Sequence, residues 1–256
     1  MLEFILDECK NDKSDRVAES QEILGMEPVD IYKDPEKIAE LAMIIKEQRG
    51  QEFCMLPFCH TLEAEILGGN INLGDATAGA RAGAPICEST TEVKKLIPKS
   101  DCMERHDNMI RAIDILKSKG EDVMFCITGP IGTLTCLVES RTVFKEWRRN
   151  PEEFNSVLDH LASILIDLVC EAAKAGACAI EYADPPSAVS IVGPKFASEM
   201  CERFTMRFIR ELSEKLGSSV PVYLCPLSAT KDMKELEDVT VIAKCPKGIK
   251  GLVTAD

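Results

Sequence analysis

Short apolar runs alternate with longer amphipathic segments along most of this chain. Apolar runs of roughly four to eight residues that are rich in Val, Ile, Phe and Tyr are typical of buried strands. Their alternation with segments of helical periodicity predicts βα units around a parallel sheet. The predicted strands lie at Glu52–Phe58, Val123–Thr128, Cys178–Ala183 and Val220–Pro226, with a final run within Thr240–Ala255.

Proline and glycine mark the ends of the predicted helices. Asp34 and Pro35 supply an N-cap and a first-turn proline, and Gly50 ends the helix that they begin. The same punctuation predicts three further helices, which begin at Glu104, at Asn150-Pro151 and at Pro194 and end near Gly120, Gly176 and Gly217.

The pattern as a whole predicts an α/β fold of the (β/α)8 TIM-barrel type that is incomplete. A complete barrel has eight strands in typically ~250 residues, and about six βα units are recognisable here. No shift in composition and no internal repeat divides the chain, so we predict one domain over residues 1–256, with an irregular segment over residues 1–32. Residues 70–99, rich in Gly, Ala, Ser, Thr and Pro, predict a long loop over the top of the sheet.

Composition and charge narrow the classes of partner. The chain has 256 residues, of which 45% are hydrophobic and 29% charged, and this composition is typical of a compact domain. A net charge of −13 disfavours binding to nucleic acid or to an anionic membrane, because both would be repelled. A small molecule or a protein is the expected partner. The unpaired strand edges of an incomplete barrel further predict association, most simply as a homodimer.

From the sequence we expect neither a secretion signal nor a membrane-spanning helix. Its first residues lack the basic region of a signal peptide. The apolar stretch from Leu161 to Ala179 is interrupted by Asp167, Glu171 and Lys174, which predicts a buried helix and strand. Twelve scattered cysteines do not form the framework of a small secreted domain, so we expect a reducing cytoplasm, most easily that of an anaerobe.

Three stretches carry a resemblance to a known family. They are Asp34–Ala42 leading into Leu56–Glu65 and Leu67-Gly68, then Thr128-Gly-Pro-Ile-Gly-Thr-Leu, then Ala183-Asp-Pro-Pro-Ser-Ala followed by Gly193–Phe196. In this order and spacing they resemble the uroporphyrinogen decarboxylase superfamily from about Lys33 to Ala229. The first stretch is particularly similar to the methylcobamide:coenzyme M methyltransferases. The resemblance implies a TIM barrel with its site at the carboxyl ends of the strands.

Within that superfamily, porphyrin decarboxylation is disfavoured. The Arg-Gln-Ala-Gly-Arg loop that binds the carboxylates of the porphyrin substrate is absent. Cys59 occupies the position of the essential aspartate of the decarboxylases, and Cys136 that of their tyrosine. The resemblance therefore implies the methyltransferase branch, in which a separate corrinoid protein presents a methylcobamide to a thiol or pterin acceptor.

The methyltransferases bind zinc through a His-x-Cys pair and a later cysteine, and the zinc binds and deprotonates the acceptor thiol. The matching string here is Tyr223-Leu-Cys225-Pro, so tyrosine replaces the histidine, and the later cysteine has no counterpart before Asp256. In a barrel, Cys59, His60 and Cys136 would lie near Cys225 at the carboxyl ends of the strands. They could then serve as substitute metal ligands. The alternative is that these cysteines are packed apolar side chains.

The remaining candidates follow strand ends. Asp184 is expected to point into the barrel mouth and orient a substrate or a proton, or else to cap a helix or brace a loop. Glu63 and Glu65 are interpreted as first-turn acids that complement the helix dipole, and Trp147 as a surface residue. The predicted catalytic residues are thus Asp184, Cys59 and His60; Gly129, Pro130, Cys136 and Tyr223 are predicted to bind substrate, and Cys225 is the candidate zinc ligand.

Two hypotheses about function remain open. The first is a corrinoid-dependent methyltransferase that acts on coenzyme M, a similar thiol or a pterin. The second is a catalytically degenerate paralogue that binds a corrinoid or tetrapyrrole, or regulates a full-length homologue. The incomplete zinc motif and the missing strands favour the second.

Overall fold

The computed structural model describes residues 20–75, 77–217 and 219–225. Its helices are α1 (Ser20–Leu24), α2 (Pro28–Ile31), α3 (Pro35–Arg49), α4 (Leu62–Ile66), α5 (Thr90–Val93), α6 (Glu104–Ser118), α7 (Pro130–Leu137), α8 (Ser140–Arg149), α9 (Pro151–Ala175), α10 (Val189–Val192), α11 (Pro194–Met200) and α12 (Met206–Leu216). Its strands are β1 (Cys54–Leu56), β2 (Ile71–Asn72), β3 (Arg81–Ala82), β4 (Val123–Thr128), β5 (Ala179–Ala183) and β6 (Val222–Leu224).

The main sheet has four parallel strands in the order β1-β4-β5-β6. Each of these strands falls within a predicted one, which confirms the α/β class and the parallel βα arrangement; the run within Thr240–Ala255 lies outside the described residues. Because neighbouring strands are parallel and in sequence order, their carboxyl ends meet at one edge. The register of β5 places Glu181 between Cys126 of β4 and Tyr223 of β6.

The two faces of the sheet bury different sets of side chains. One face packs against the helices and contributes residues such as Phe125, Ile127 and Tyr182 to the main hydrophobic core. The opposite face, which is the interior side of a barrel, carries a separate apolar cluster of Phe53, Met55, Met124, Cys126, Ala179 and Tyr223. The central strand β4 is buried along its whole length. Strands covered on both faces explain the continuous apolar runs in the sequence.

The helix ends follow the predicted punctuation. The Asp34 side chain accepts hydrogen bonds from the backbone N–H groups of Glu36 and Lys37, and Gly50 ends α3 with a left-handed φ of 61°. The helices predicted to begin at Asn150-Pro151 and Pro194 also begin there. The second of these continues from α11 through a single π-helical turn at Cys201–Thr205 into α12.

Three regions differ from the sequence prediction. The described part of residues 1–32, predicted to be irregular, contains α1 and α2. The predicted loop at residues 70–99 contains the short β2–β3 hairpin and α5. The interpretation of Trp147 as a surface residue is wrong, because its indole is 2% exposed and packs against Phe154 and Phe196. Within the described residues, no helix combines the length and the apolar character needed to cross a membrane.

Candidate functional site

The residues predicted to form the site follow the carboxyl ends of neighbouring strands. Cys59 and His60 follow β1, Gly129 and Pro130 follow β4, Asp184 follows β5 and Cys225 follows β6. We call this edge of the sheet, together with the residues that follow β1, β4, β5 and β6, the rim. The carboxyl ends of the strands are where barrel enzymes carry their active sites.

Asp184 braces the rim from within. Its carboxylate oxygens accept hydrogen bonds from the backbone N–H groups of Ile131 (3.1 Å) and Gly132 (2.7 Å) in the first turn of α7. The residue is 1% exposed. This is the bracing geometry that the sequence left open as the alternative to a role in orienting a substrate or a proton. Burial raises the pKa of Asp184 to about 7, although these two hydrogen bonds oppose the rise.

Gly129 and Gly132 allow α7 to approach Asp184 closely. A Cβ atom on Gly129 would lie 2.6 Å from the Cβ of Asp184 and 2.6 Å from the hydroxyl of Tyr182. A Cβ atom on Gly132 would lie 2.6 Å from Cγ2 of Thr128. The absence of a side chain at Gly129 and Gly132 thus allows the start of α7 to pack against the end of β5.

Glu63 is a buried acid that the sequence interpretation assigned to the helix dipole. It is 1% exposed, and its Oε1 accepts a hydrogen bond of 2.7 Å from the backbone N–H of Thr128. Its Oε2 has no hydrogen-bond partner among the described residues. Burial raises the pKa of Glu63 to about 7. In the sequence, the only indication that Glu63 is buried is its position within the mainly apolar segment from Leu62 to Leu67. The fold shows that α4 is buried on most of its sides.

The charge of Glu63 acts on Asp184, the other buried acid of the rim. The negative charge of Glu63 contributes to the raised pKa of Asp184. Two buried carboxyl groups in one low-dielectric region resist simultaneous ionisation. The ionised form of Asp184 is therefore disfavoured while Glu63 carries its charge.

His60 links this buried pair to the surface. Its side chain is exposed, and its Nδ1 lies 3.2 Å from the Thr128 hydroxyl. Thr128 donates its backbone N–H to Glu63, so one residue contacts both the exposed imidazole and the buried carboxylate. Cys136 lies beside this group, with its sulfur 3.9 Å from the backbone oxygen of His60. Burial, with Glu63 and Cys59 nearby, raises the pKa of Cys136 to about 11, so this thiol is neutral at physiological pH.

Arg105 holds Cys59 in place, a contact that the sequence analysis did not predict. Arg105 lies on α6, is 4% exposed and donates from Nη1 to the sulfur of Cys59 at 3.1 Å. It also donates to the hydroxyl of Thr61 at 3.1 Å and pairs with Glu65, and its guanidinium lies 5.0 Å from the ring centroid of Tyr32. Glu65 thus neutralises the buried Arg105 guanidinium. This role differs from the helix-dipole role that the sequence suggested.

The described residues do not fit a zinc ion. Among them, no group of three His, Cys, Asp or Glu side chains is arranged to hold a metal. The sulfur of Cys59 is already held by the Arg105 guanidinium, which would place a second cation beside any metal ion bound there. Tyr223 packs its ring against Phe53 at a centroid distance of 6.3 Å. Cys225 is 8% exposed, and its backbone N–H donates to the backbone oxygen of Tyr182.

Comparison with known proteins supports the resemblance found in the sequence. The family model described as uroporphyrinogen decarboxylase (URO-D) matches residues 17–243. The methylcobamide:CoM methyltransferase MtaA of Methanosarcina barkeri (strain Fusaro / DSM 804) is 24% identical over 214 residues, and a second M. barkeri MtaA is 23% identical. Either alignment covers 82% of this chain and 61% of the relative, so the chain spans under two thirds of the length of these relatives.

A solved structure shares the fold. The structure of a methyltransferase from Methanosarcina mazei superimposes with a TM-score of 0.68 at 21% sequence identity. The superposition covers 81% of this chain and 61% of that protein. This likeness confirms the predicted fold, that of an incomplete TIM barrel.

Proposed function

Because the chain belongs to the uroporphyrinogen decarboxylase (URO-D) family, we propose that it is a methyltransferase that moves a methyl group from a methylcobamide to a small-molecule acceptor. The methylcobamide would be presented by a separate corrinoid protein that docks over the rim. The acceptor would be a thiol similar to coenzyme M or, alternatively, a pterin. The similarity to two MtaA methyltransferases supports this choice within the family.

The observation that carries the proposal is the Glu63 carboxyl group. When a thiol attacks a cobalt-bound methyl group, a carbon–sulfur bond forms, the cobalt–carbon bond breaks, and the electron pair of that bond stays on cobalt. The thiol proton must go to a base. A base with a pKa near the working pH is the most effective. Glu63 has such a pKa; because its side chain is buried, the proton would have to reach it by way of Thr128, which contacts both Glu63 and the exposed His60.

The other predicted residues have supporting roles in this proposal. His60, exposed beside Thr128, contacts the acceptor, and Cys136 contributes a neutral wall. Asp184 positions α7 and, with Gly129 and Pro130, shapes the rim on the side of β4. Cys59, held by Arg105, is a positioning residue. Tyr223, on the interior face of the sheet, is assigned to the floor of the substrate site. No step of the mechanism passes through zinc.

The test is direct detection of product. Anaerobically purified protein is incubated with methylcobalamin and either coenzyme M or tetrahydrofolate, and the methylated acceptor is quantified by mass spectrometry. Formation of S-methyl coenzyme M above the protein-free rate supports the proposal with a thiol acceptor, and methyltetrahydrofolate supports it with a pterin. No methylated product with either acceptor contradicts it.

A binding or regulatory paralogue is the second candidate, and the lack of a zinc-ligand group among the described residues favours it. Methyl transfer distinguishes the two, and elemental analysis of the purified protein and of a Cys225→Ser variant tests whether the protein uses zinc. Near-stoichiometric zinc that is lost in the variant would overturn the metal-free mechanism above. Absence of both zinc and turnover, together with saturable binding of cobalamin, would establish the paralogue.

A further inference from the structure

A second site lies outside the sheet, in a cavity of about 610 Å³ that is lined by residues of α8, α9, α10, α11 and the π-helical turn. Its charged groups are Arg148, Lys195, Arg203 and the carboxylate Glu199. Trp147 and Phe196 form much of its apolar wall. We call it the tryptophan groove. Its volume is within the range of about 300–1,000 Å³ that is typical of small-molecule sites.

Arg203 is held in the groove by uncharged partners. Its Nε donates to the side-chain oxygen of Asn155 at 2.8 Å, and its Nη2 donates to the backbone oxygen of Pro151 at 3.0 Å. Its guanidinium carbon lies 3.6 Å from the ring centroid of Trp147. It forms no ion pair with any carboxylate in the part of the chain that the structure describes, although Glu199 is close enough to influence its pKa. The guanidinium is therefore fixed in position, and its charge is only partly compensated.

The other charges leave the groove positive. Arg148 is exposed and forms no ion pair within the described ranges. The Lys195 ammonium is 3.9 Å from Glu199, and its side chain is 90% exposed. Glu199 itself accepts a hydrogen bond of 3.1 Å from Nε1 of Trp147. Three cations thus share a groove with one occupied carboxylate, in a chain whose net charge is −13.

We infer that the tryptophan groove binds a small phosphate-bearing ligand, with its phosphate against Arg148 and Arg203 and its organic part against Phe196 and Val192. Guanidinium groups match phosphate geometry and can donate two parallel hydrogen bonds. The preset orientation of Arg203 lowers the entropy that binding would cost. This inference does not depend on the proposed methyl transfer, since none of these residues belongs to the rim.

The chain offers a specific reporter for this site. Trp147 is the only tryptophan of the sequence, so its fluorescence reports on the groove alone. Titration with inorganic pyrophosphate, against sodium chloride at equal ionic strength, is expected to give a saturable change in emission. Arg148→Gln is expected to weaken binding roughly tenfold or more, since it removes a charge-assisted hydrogen bond to the phosphate. Arg111→Gln, which removes an exposed cation from α6, is expected to bind as the native protein does.

Two results would overturn the inference. One is the absence of any saturable change with pyrophosphate. The other is equal affinity of the Arg148→Gln variant and the native protein; because Arg148 is exposed, this variant is expected to fold normally. Inorganic phosphate and glycerol 3-phosphate then identify the source of the anion: tighter binding of the ester supports an organic phosphate, and the reverse order supports free phosphate.

Discussion

The carboxylate of Asp184 accepts a hydrogen bond of 2.7 Å from the backbone N–H of Gly132, which ties the end of β5 to the first turn of α7. The second oxygen accepts from Ile131, so the side chain caps α7 from a neighbouring strand. α7 begins without a capping side chain of its own, because its N-cap residue is Gly129. Asp184 supplies the acceptor that an aspartate at the N-cap would otherwise provide.

Replacing Asp184 by Asn is therefore expected to destabilise the protein. The amide can retain one acceptor, but its NH₂ group would face a backbone N–H, so a buried donor would lose its partner. We expect a loss of about 1–3 kcal/mol in the free energy of unfolding, measured by urea denaturation. An unchanged free energy would show that the two hydrogen bonds contribute nothing net.

Gly129→Ala tests the close packing at the same point. The added Cβ would lie 2.6 Å from the Cβ of Asp184, and overpacking of this kind typically costs about 1–3 kcal/mol. Gly50→Ala is the matched control. There the Cβ would meet no atom within 4 Å, so the left-handed φ of 61° alone makes alanine unfavourable, by roughly 1–2 kcal/mol. A loss of less than about 1 kcal/mol for Gly129→Ala would contradict the close contact with Asp184.

Glu63 is expected to make stability depend on pH in a defined direction. Its pKa is about 7 in the folded protein, above the ~4.3 of an unfolded glutamate. The folded state therefore binds the proton more tightly, and the stabilisation is fully present below pH ~4 and is lost as the pH rises to about 7. The expected loss amounts to a few kcal/mol, since each tenfold difference in proton affinity corresponds to about 1.4 kcal/mol.

The comparison is made with Glu63→Gln, which keeps an acceptor for Thr128 and cannot ionise. The free energy of unfolding of the native protein should fall relative to that of the variant between pH 4 and pH 7. Glu152→Gln, at an exposed position in α9, is the control and should track the native protein. Parallel curves for the native protein and Glu63→Gln would mean that Glu63 does not bind a proton in this range.

Arg105 is expected to be essential for the fold around Cys59. Arg105→Met leaves Glu65 without its cation and Thr61 without its donor. Removing one partner of a buried ion pair typically costs about 3–5 kcal/mol; Glu65 is 21% exposed, so we expect about 3 kcal/mol. Arg111→Met, an exposed position on the same helix, should change the free energy of unfolding by less than about 0.5 kcal/mol. Equal effects of the two substitutions would contradict the structure.

The sequence predicts the helices and strands of this fold well, because their boundaries depend on local chemistry. Asp34, Pro35 and Gly50 determine the ends of α3 through contacts within a few residues, and such contacts are visible in the sequence. The location of the rim could also be predicted, because a parallel sheet brings the residues after β1, β4 and β5 to one edge.

The contacts within the rim could not be predicted, since they join residues far apart in the chain. Arg105 is 46 residues from Cys59, and Glu63 is 65 residues from Thr128. Glu63 looks like an ordinary first-turn acid until β4 and α7 cover it. The prediction of an exposed Trp147 was wrong for a similar reason. Arg148 and Arg149 follow it in the sequence and suggest a surface position, but Phe154 and Phe196 bury the indole.

The most direct test of the central claim is the initial rate of methyl transfer from methylcobalamin to coenzyme M, compared between the native protein and Glu63→Gln. If Glu63 accepts the thiol proton, the variant should be slower by about 100-fold at pH 7, the lower limit of the contribution of a general base. Glu152→Gln should retain the native rate. An equal rate for the native protein and Glu63→Gln would contradict the assignment of Glu63 as the base.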